Sequence, residues 1–459
     1  MVKLFGTSGI RGLVSKKITP EFSVKLGLSA AKYYGPGSRV IVGFDHRLQA
    51  RVVAKAFIAG LLAGGVNVLN AEVAPTPAVL YAVRDLKADG AVIITGSHTI
   101  PEIIGLLFFK ENTAEFSRCE EEGLEKIFFD GRYERMPWNR LGREENIDVS
   151  EIYCENVLKR VNISKVSGRK VVVDVGNSCA GRFLRNIFYN ADVEVITVND
   201  YPDPFFRGRD PFPRTDNLQL LGRITNASGA DIGVGIDGDG DRALFCDEKG
   251  SVYWGDVSGA IFAMQSLERG IKKIVVTINT SHIVYSVVND HGGEVVFSRV
   301  GPPAIADTMI RNNAGYGIEE SGKYLWADAI YYGDAALATL RMLEFLEEKG
   351  ESLSSLIARL PKFRMKKVAI KCPDELKKLV LELSAQKVKE LFWDEVQEVV
   401  TIDGVKIVLK DGSWVLLRPS GTEPVFRVFS ESRLEEKANE LLKIGEKVVL
   451  EAISKVEKK

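Results

Sequence analysis

No apolar run in this chain approaches the ~20 residues that a membrane-crossing helix needs. The opening stretch Met1–Thr7 lacks the continuous apolar core of a signal peptide. Cysteine is sparse: Cys119, Cys154, Cys179, Cys246 and Cys372 are scattered, with no CxxC pair. That spacing argues against a structural zinc site or a disulfide framework. Neither sign of charge dominates, since the formal net charge is -1, so no global field draws the chain to nucleic acid or to a membrane surface. A cytoplasmic protein without nucleic-acid or membrane partners is expected. Glutamine is scarce while lysine and glutamate are abundant, a weak lean toward a thermophilic source.

What is present is ordinary globular material. Hydrophobic residues make up 45% and charged residues 27% of 459 residues, enough for about three domains at roughly 150 residues each. A strand–helix–strand unit recurs three times. Val40–Gly43 leads through the apolar-periodic stretch Val52 to Leu62 and a Gly64-Gly65 stop into Val66–Leu69. Val171–Asp174 leads through Phe183 to Tyr189 into Val193–Ile196. Ile274–Thr277 leads through Ile283 to Val288 and Gly292-Gly293 into Glu294–Phe297. Continuous β-branched runs alternating with helices imply mostly parallel sheets covered on both faces. The C-terminal part differs. Met365 to Lys371 reads as a strand, Asp374 to Leu391 as a helix, Asp403-Gly404 and Asp411-Gly412 as hairpin turns, and Leu434 to Lys459 as a long amphipathic helix. The expected fold is α/β: three similar mixed-sheet α/β domains plus a C-terminal α+β domain. Boundaries near 150, 250 and 365 give 1–150, 151–250, 251–365 and 366–459.

Five loops carry chemistry. Asp237-Gly238-Asp239-Gly240-Asp241 follows the apolar run Ile232–Ile236. Its glycines permit the backbone angles that let three carboxylates converge, and an all-oxygen set suits Mg²⁺. An EF-hand competes, because Glu248 falls at loop position twelve, but Arg242 stands where position six requires glycine. A solvated acidic turn is the blander alternative. Arg418-Pro419-Ser420-Gly421-Thr422-Glu423-Pro424 offers a phosphate cradle, to which Arg427 adds a second fork; a plain Pro/Ser/Gly turn is the alternative. Ser97 and His98, in Thr95-Gly96-Ser97-His98, follow the buried-strand candidate Ala91–Ile94, at the strand end where α/β ligands bind. The GxSxG of a hydrolase elbow is missing, and alone this is more often a loop serine. Glu319 and Ser321 in Gly317–Gly322 suit sugar hydroxyls, or simply a capped helix start. The arm Phe5-Gly6-Thr7-Ser8-Gly9-Ile10-Arg11-Gly12 either reaches an anion or packs on its domain.

Taken in order, FGTSGIRG, DGDGDR, ExSG and RPSGTEP, with Ala74-Pro75-Thr76-Pro77, resemble the α-D-phosphohexomutase family over essentially the whole chain. The resemblance implies four domains around a central cleft, and a phosphoryl-carrying Ser97. It implies Mg²⁺ on Asp237, Asp239, Asp241 and the Ser97 phosphoserine oxygen. Glu319 and Ser321 would grip sugar hydroxyls, and Arg418, Ser420, Gly421, Thr422 and Arg427 the non-reacting phosphate. Arg11 would lie near the serine, with His98 and Arg242 as further candidate catalytic groups. The implied reaction moves phosphate between C1 and C6 of a hexose, glucose or mannose phosphate, through a bisphosphorylated sugar. A hexose 1,6-bisphosphate would be the activator. Small-molecule sugar phosphates are the implied partners; monomer and homo-oligomer both stay open.

The sequence departs from the family at the serine loop. Thr99 and Ile100 replace an asparagine and a proline, Ile104 an asparagine, and Leu107 a lysine; in the sugar loop Lys323 replaces a histidine. Loss of a cation beside a phosphoryl group is serious, since positioned charge drives phosphoryl transfer. Either Lys323 compensates, and joins the catalytic candidates, or the chain binds phosphosugars without turnover. A metal-dependent phosphatase is a third reading. Glu320 stands where phosphoglucosamine mutases often have glutamine, which favours glucose or mannose phosphates; phosphoglucosamine and phosphopentose mutases stay as alternatives.

Overall fold

A computed structural model describes residues 3–421 and 424–457. Three of its four sheets repeat one design. In each, a central strand pairs in parallel with two neighbours, and an antiparallel strand closes one edge. The central strands are Arg39–Phe44, Lys170–Asp174 and Lys273–Thr277. On one side lie Asn67–Val73, Glu194–Val198 and Glu294–Ser298. On the other lie Gly90–Ile94, Ile232–Ile236 and Tyr316–Glu319. The closing antiparallel strands are Ile103–Lys110, Ala243–Cys246 and Lys323–Trp326. The parallel crossovers run through the helices Leu48–Ala63, Gly181–Asn190 and His282–Asp290, each longer than its apolar-periodic stretch.

The repetition matters for function. Each third strand leads into one of the candidate loops: Ser97 follows Gly90–Ile94, Asp237 follows Ile232–Ile236, and Glu319 ends Tyr316–Glu319 just before Ser321. Carboxyl ends of parallel strands are where α/β folds place ligands. The first sheet also gains two strands. Ile10–Leu13, inside the glycine-rich arm, pairs antiparallel with Ile103–Lys110, setting Arg11 opposite Gly105. Glu144–Asn146 pairs with Asn67–Val73 at the other edge.

One apolar core runs through all three α/β layers, from Val79 and Leu107 through Val171 and Phe245 to Ile274 and Trp326. The C-terminal sheet is separate. It is antiparallel, ordered Arg364–Lys371, Val425–Ser432, Trp414–Pro419, Val405–Leu409 and Val396–Val400, and is covered by the helices Lys377–Leu391 and Glu435–Glu457. One face of it docks on the third layer through Ile278, Trp414, Leu416 and Phe429. Alternation along the strands sets Arg418 on that face with Trp414 and Leu416, and Arg427 with Phe429 and Glu431. Register then makes two cross-strand pairs, Trp414 with Glu431 and Arg418 with Arg427. The first pair anchors: Glu431 accepts hydrogen bonds from Trp414 Nε1 at 2.8 Å and from the backbone N–H of His282 at 2.7 Å, and also from Ser281 Oγ.

Candidate active site

Ser97 holds a left-handed conformation, φ +48°, rare for a residue with a side chain and a form of strain that surrounding contacts must sustain. Those contacts come largely from Arg47, which is buried. Its guanidinium donates to the carbonyls of Ile100 (2.7 Å), Thr99 (2.8 Å) and Ser97 (2.9 Å). Asp45 holds Arg47 Nε at 3.1 Å and accepts from Thr95 Oγ1 and the Gly96 N–H, both at 2.9 Å. Thus two buried charges just past the strand Arg39–Phe44 shape the serine loop. The altered residues Thr99 and Ile100 enter this cage through their carbonyls, which any side chain supplies.

Ser97 Oγ donates to Asp237 Oδ2 at 2.9 Å. Asp237, Asp239 and Asp241 are all at most 1% exposed, and one oxygen of each lies within 4.8 Å of the others. The loop closes tightly: a Cβ at Gly238 would meet the Ser97 carbonyl oxygen at 2.5 Å, and Gly240 takes φ +75°. Thr76, in the Ala74–Pro77 segment, donates from its backbone to the Asp239 carbonyl at 3.0 Å and from Oγ1 to Asp239 Oδ2 at 2.8 Å.

Three buried carboxylates so close repel. Burial, then Asp241 and Asp239, push Asp237 well above the usual carboxylate range. Burial and Asp241 raise Asp239 to about 6. Burial works against Asp241 too, but Lys323 and Arg242 hold it below the usual range. Asp239 Oδ1 and Asp241 Oδ1 find no hydrogen-bond partner among the described residues. Orphaned buried carboxylate oxygens converging on one point fit a hard divalent cation, which replaces the missing partners and relieves the repulsion.

Cations surround this cluster. Lys323 Nζ lies 2.8 Å from Asp241 Oδ2 and donates to Tyr332 Oη at 2.9 Å. Arg242 Nε lies 3.7 Å from Asp241 and 3.9 Å from Asp237, and Nη2 lies 4.0 Å from Glu319. Arg11 Nη1 donates to the Gly96 carbonyl at 3.0 Å. Leu107 is fully buried in the apolar core beside Phe109, whose ring meets Tyr332 edge-on at 5.0 Å. A cation therefore reaches the carboxylates from the third layer, while position 107 is part of the apolar core. His98 Nδ1 sits 3.3 Å from Ser97 Oγ. Burial, then Arg242 and Arg11, press its pKa well below the ordinary value, so the ring is neutral near pH 7.

Beyond the serine opens a cavity of 430 Å³ shared by all four layers, lined by His98, Arg242, Glu319, Ser321, Arg418 and Arg427 among others. Ser321 Oγ donates to Glu319 Oε1 at 2.6 Å. Arg418 Nε is held by Asp403 at 2.8 Å, and the Ser420 N–H donates to the Val425 carbonyl at 3.0 Å. A Cβ at Gly421 would lie 3.4 Å from Thr7 Oγ1, so the loop after Arg418 abuts the N-terminal arm. Thr422 lies outside the described residues. The structure thus brings together Ser97, His98, Arg242, Lys323, Glu319, Ser321 and the three aspartates, with Arg418 and Arg427 across the cleft. Sequence reasoning missed Arg47, Tyr332, Phe212, Trp254 and Lys367, the last three lining the same cavity. Only Arg47 carried a signal, as a charged cluster with Asp45 just after a buried strand.

Models of the phosphoglucomutase/phosphomannomutase domains match this chain in sequence: α/β/α domain I over 2–135, domain II over 151–250, domain III over 254–363 and the C-terminal domain over 368–444. A phosphoglucomutase/phosphomannomutase of Thermococcus kodakarensis is 36% identical, covering 99% of this chain and 100% of that protein. The chain belongs to the phosphoglucomutase/phosphomannomutase family. It is an enzyme of the phosphohexomutase kind, an isomerase working by phosphoryl transfer. A phosphoglucosamine/phosphogalactosamine mutase of Sulfurisphaera tokodaii is 35% identical, with 98% of this chain and 99% of that one covered. A crystal structure of a family protein from Burkholderia thailandensis superposes with a TM-score of 0.86 at 26% identity, covering 98% of each chain. Relatives in this family thus differ in their named sugars. Among the described residues, no helix is long and apolar enough to cross a membrane.

Proposed function

We propose that this mutase moves phosphate between C1 and C6 of glucose or mannose phosphate, with Ser97 as the phosphoryl carrier. The observation that carries this reading is Ser97 Oγ, held 2.9 Å from Asp237 in a three-carboxylate cluster, next in sequence to His98, which lines a cavity together with Arg418 and Arg427. Asp237, Asp239, Asp241 and the phosphoserine oxygen would hold Mg²⁺. When bound, it spreads the charge of the phosphoryl in flight.

The protein's own groups do the rest. Arg418, Arg427, Ser420, Gly421 and Thr422 hold the phosphate that is not reacting, while Glu319 and Ser321 take the sugar hydroxyls. A sugar hydroxyl then attacks the phosphoserine phosphorus and the P–Oγ bond breaks. The hydroxyl proton ends on the departing Ser97 Oγ, which His98 Nδ1 faces at 3.3 Å. The bisphosphorylated sugar turns over, Ser97 Oγ attacks the other phosphorus, and its proton ends on the departing sugar oxygen. Lys323, Arg242 and Arg11 stabilise the charge that builds on the phosphoryl oxygens. Added hexose 1,6-bisphosphate would phosphorylate Ser97 and start the cycle.

Incubation with Mg²⁺, glucose 1,6-bisphosphate and glucose 1-phosphate tests this, with mannose, glucosamine and ribose phosphates in parallel. Glucose 6-phosphate should appear and Ser97 should gain one phosphate by mass spectrometry. Free phosphate without isomerisation would make the protein a phosphatase. Thermal protection by sugar phosphates without turnover would make it a phosphosugar binder.

A further inference from the structure

The cavity contains an aromatic corner that the polar chemistry above does not use. Phe212 and Trp254 stand nearly perpendicular, with ring planes 83° apart and centroids 6.1 Å apart, and both line the 430 Å³ cavity. Phe212 reaches toward the reacting serine: its ring lies 5.3 Å from that of His98 and 5.4 Å from the Arg242 guanidinium carbon. Trp254 reaches toward the sugar loop, donating from Nε1 to Glu320 Oε2 at 3.3 Å, with Lys367 Nζ 4.8 Å from its ring centroid. The corner therefore spans the two halves of the site.

Phe212 is also firmly placed. Pro211 and Pro213 flank it, each fixing its own φ. Arg209, three residues earlier, is buried, pairs with Asp174 at 3.1 Å, and donates to the carbonyl of Ile236, the residue before Asp237. The loop bearing Phe212 is thereby tied to the strand bearing the metal carboxylates. A half-buried phenylalanine rigidly aimed into a charged cavity covers no core of its own.

We propose that Phe212 and Trp254 hold the bisphosphorylated sugar while it turns to present its other phosphate to Ser97; this rests on the mutase reading above. The physical reason is directionality. Hydrogen bonds from Glu319 and Ser321 fit one orientation of the ring, and polar groups in ligand sites serve to fix orientation. Aromatic faces bind C–H surfaces without a preferred direction and cost little side-chain ordering. A sugar that must present first one end and then the other to Ser97 needs such a surface to stay bound between the two half-reactions. The surrounding cations Arg242 and Lys367 keep its two phosphates paired meanwhile.

Phe212→Leu keeps an apolar group and removes the ring; Phe212→Tyr keeps the ring. In Phe212→Leu, free bisphosphate released per turnover, and the added glucose 1,6-bisphosphate needed for half-maximal activity, should each rise about tenfold, the scale of one aromatic contact. That rise should exceed any fall in turnover at saturating bisphosphate, and Phe212→Tyr should restore the parent's bisphosphate requirement. Unchanged release in Phe212→Leu, or a fall in turnover with no change in bisphosphate requirement, overturns the proposal. A readout without catalysis separates it from the mutase reading. Glucose 1,6-bisphosphate should change tryptophan emission in the parent protein and not in Trp254→Phe. Equal changes in both overturn the corner even where Phe212→Leu does not fold, whereas absent isomerisation by the parent overturns the mutase reading instead.

Discussion

Replacing Lys323 by methionine keeps the unbranched stem and deletes one charge. The ammonium lies 2.8 Å from Asp241 Oδ2 and is 2% exposed, so solvent screens the pair weakly. Stripping one partner from a buried ion pair costs about 3–5 kcal/mol, and the metal-free variant should lose stability on that scale. Metal binding should move the other way. Three carboxylates that share Lys323 and Arg242 in the parent would share Arg242 alone. The divalent cation then takes over the neutralisation, and its affinity should rise about tenfold or more, about 1.4 kcal/mol. Catalysis should still fall. Loss of one preorganised charge near a developing anion costs about 2.7–4 kcal/mol, or roughly 10²–10³ in turnover. Calorimetric Mg²⁺ titration, thermal unfolding with and without Mg²⁺, and a glucose 1-phosphate assay measure the three effects together. Turnover equal to the parent, or weaker Mg²⁺ binding, would refute the role given to Lys323.

Arg47→Lys should slow Ser97 phosphorylation by about 10²-fold, because a lysine cannot serve three carbonyls and Asp45 with one planar fork; mass spectrometry of the bisphosphate-loaded protein follows it, and a rate equal to the parent counts against the cage. Glu115 should make stability depend on pH. Burial pushes this carboxyl from 4.5 to about 8; Ser8 Oγ donates to Oε1 at 2.8 Å, and Oε2 lacks a hydrogen-bond partner among the described residues. Folding therefore takes up a proton between pH 4.5 and about 8, and stability from this group is lost as pH rises through that window at about 1.4 kcal/mol per unit. Glu115→Gln should remove that slope, so its advantage over the parent in urea unfolding should grow from pH 5 to pH 8; parallel curves contradict the shift. Glu431→Ala should leave Trp414 Nε1 and the His282 N–H unpaired at about 1–3 kcal/mol each, visible as faster hydrogen exchange in His282–Asp290 with slower unfolding steps elsewhere unchanged; unaltered exchange would mean the C-terminal sheet docks by its apolar face alone.

Much of this protein follows from short-range pattern. Runs such as Val171–Asp174 and Ile274–Thr277 are apolar on both faces, which only a buried parallel strand accommodates, and the repeat of strand, helix and glycine stop was legible three times over. The convergence of the acidic loop was equally legible, because alternate aspartates separated by glycines act within one turn of chain. What local pattern cannot carry is which distant residues meet. Lys323 belongs to a strand whose neighbours in sequence are a sugar loop and an apolar run, yet its ammonium rests on Asp241. Arg47 drew no notice in the sequence, and it is the clamp of the serine loop. Phe212 drew no notice in the sequence, and its ring packs beside that of His98. The sequence by itself determined the layers, the loops at their edges and the three carboxylates that could hold a cation, since these rest on periodicity and on residue chemistry over a few positions. Only the tertiary structure decided which cation answers the carboxylates and what walls the cleft, because those depend on three-dimensional convergence of four layers that the chain visits at widely separated points.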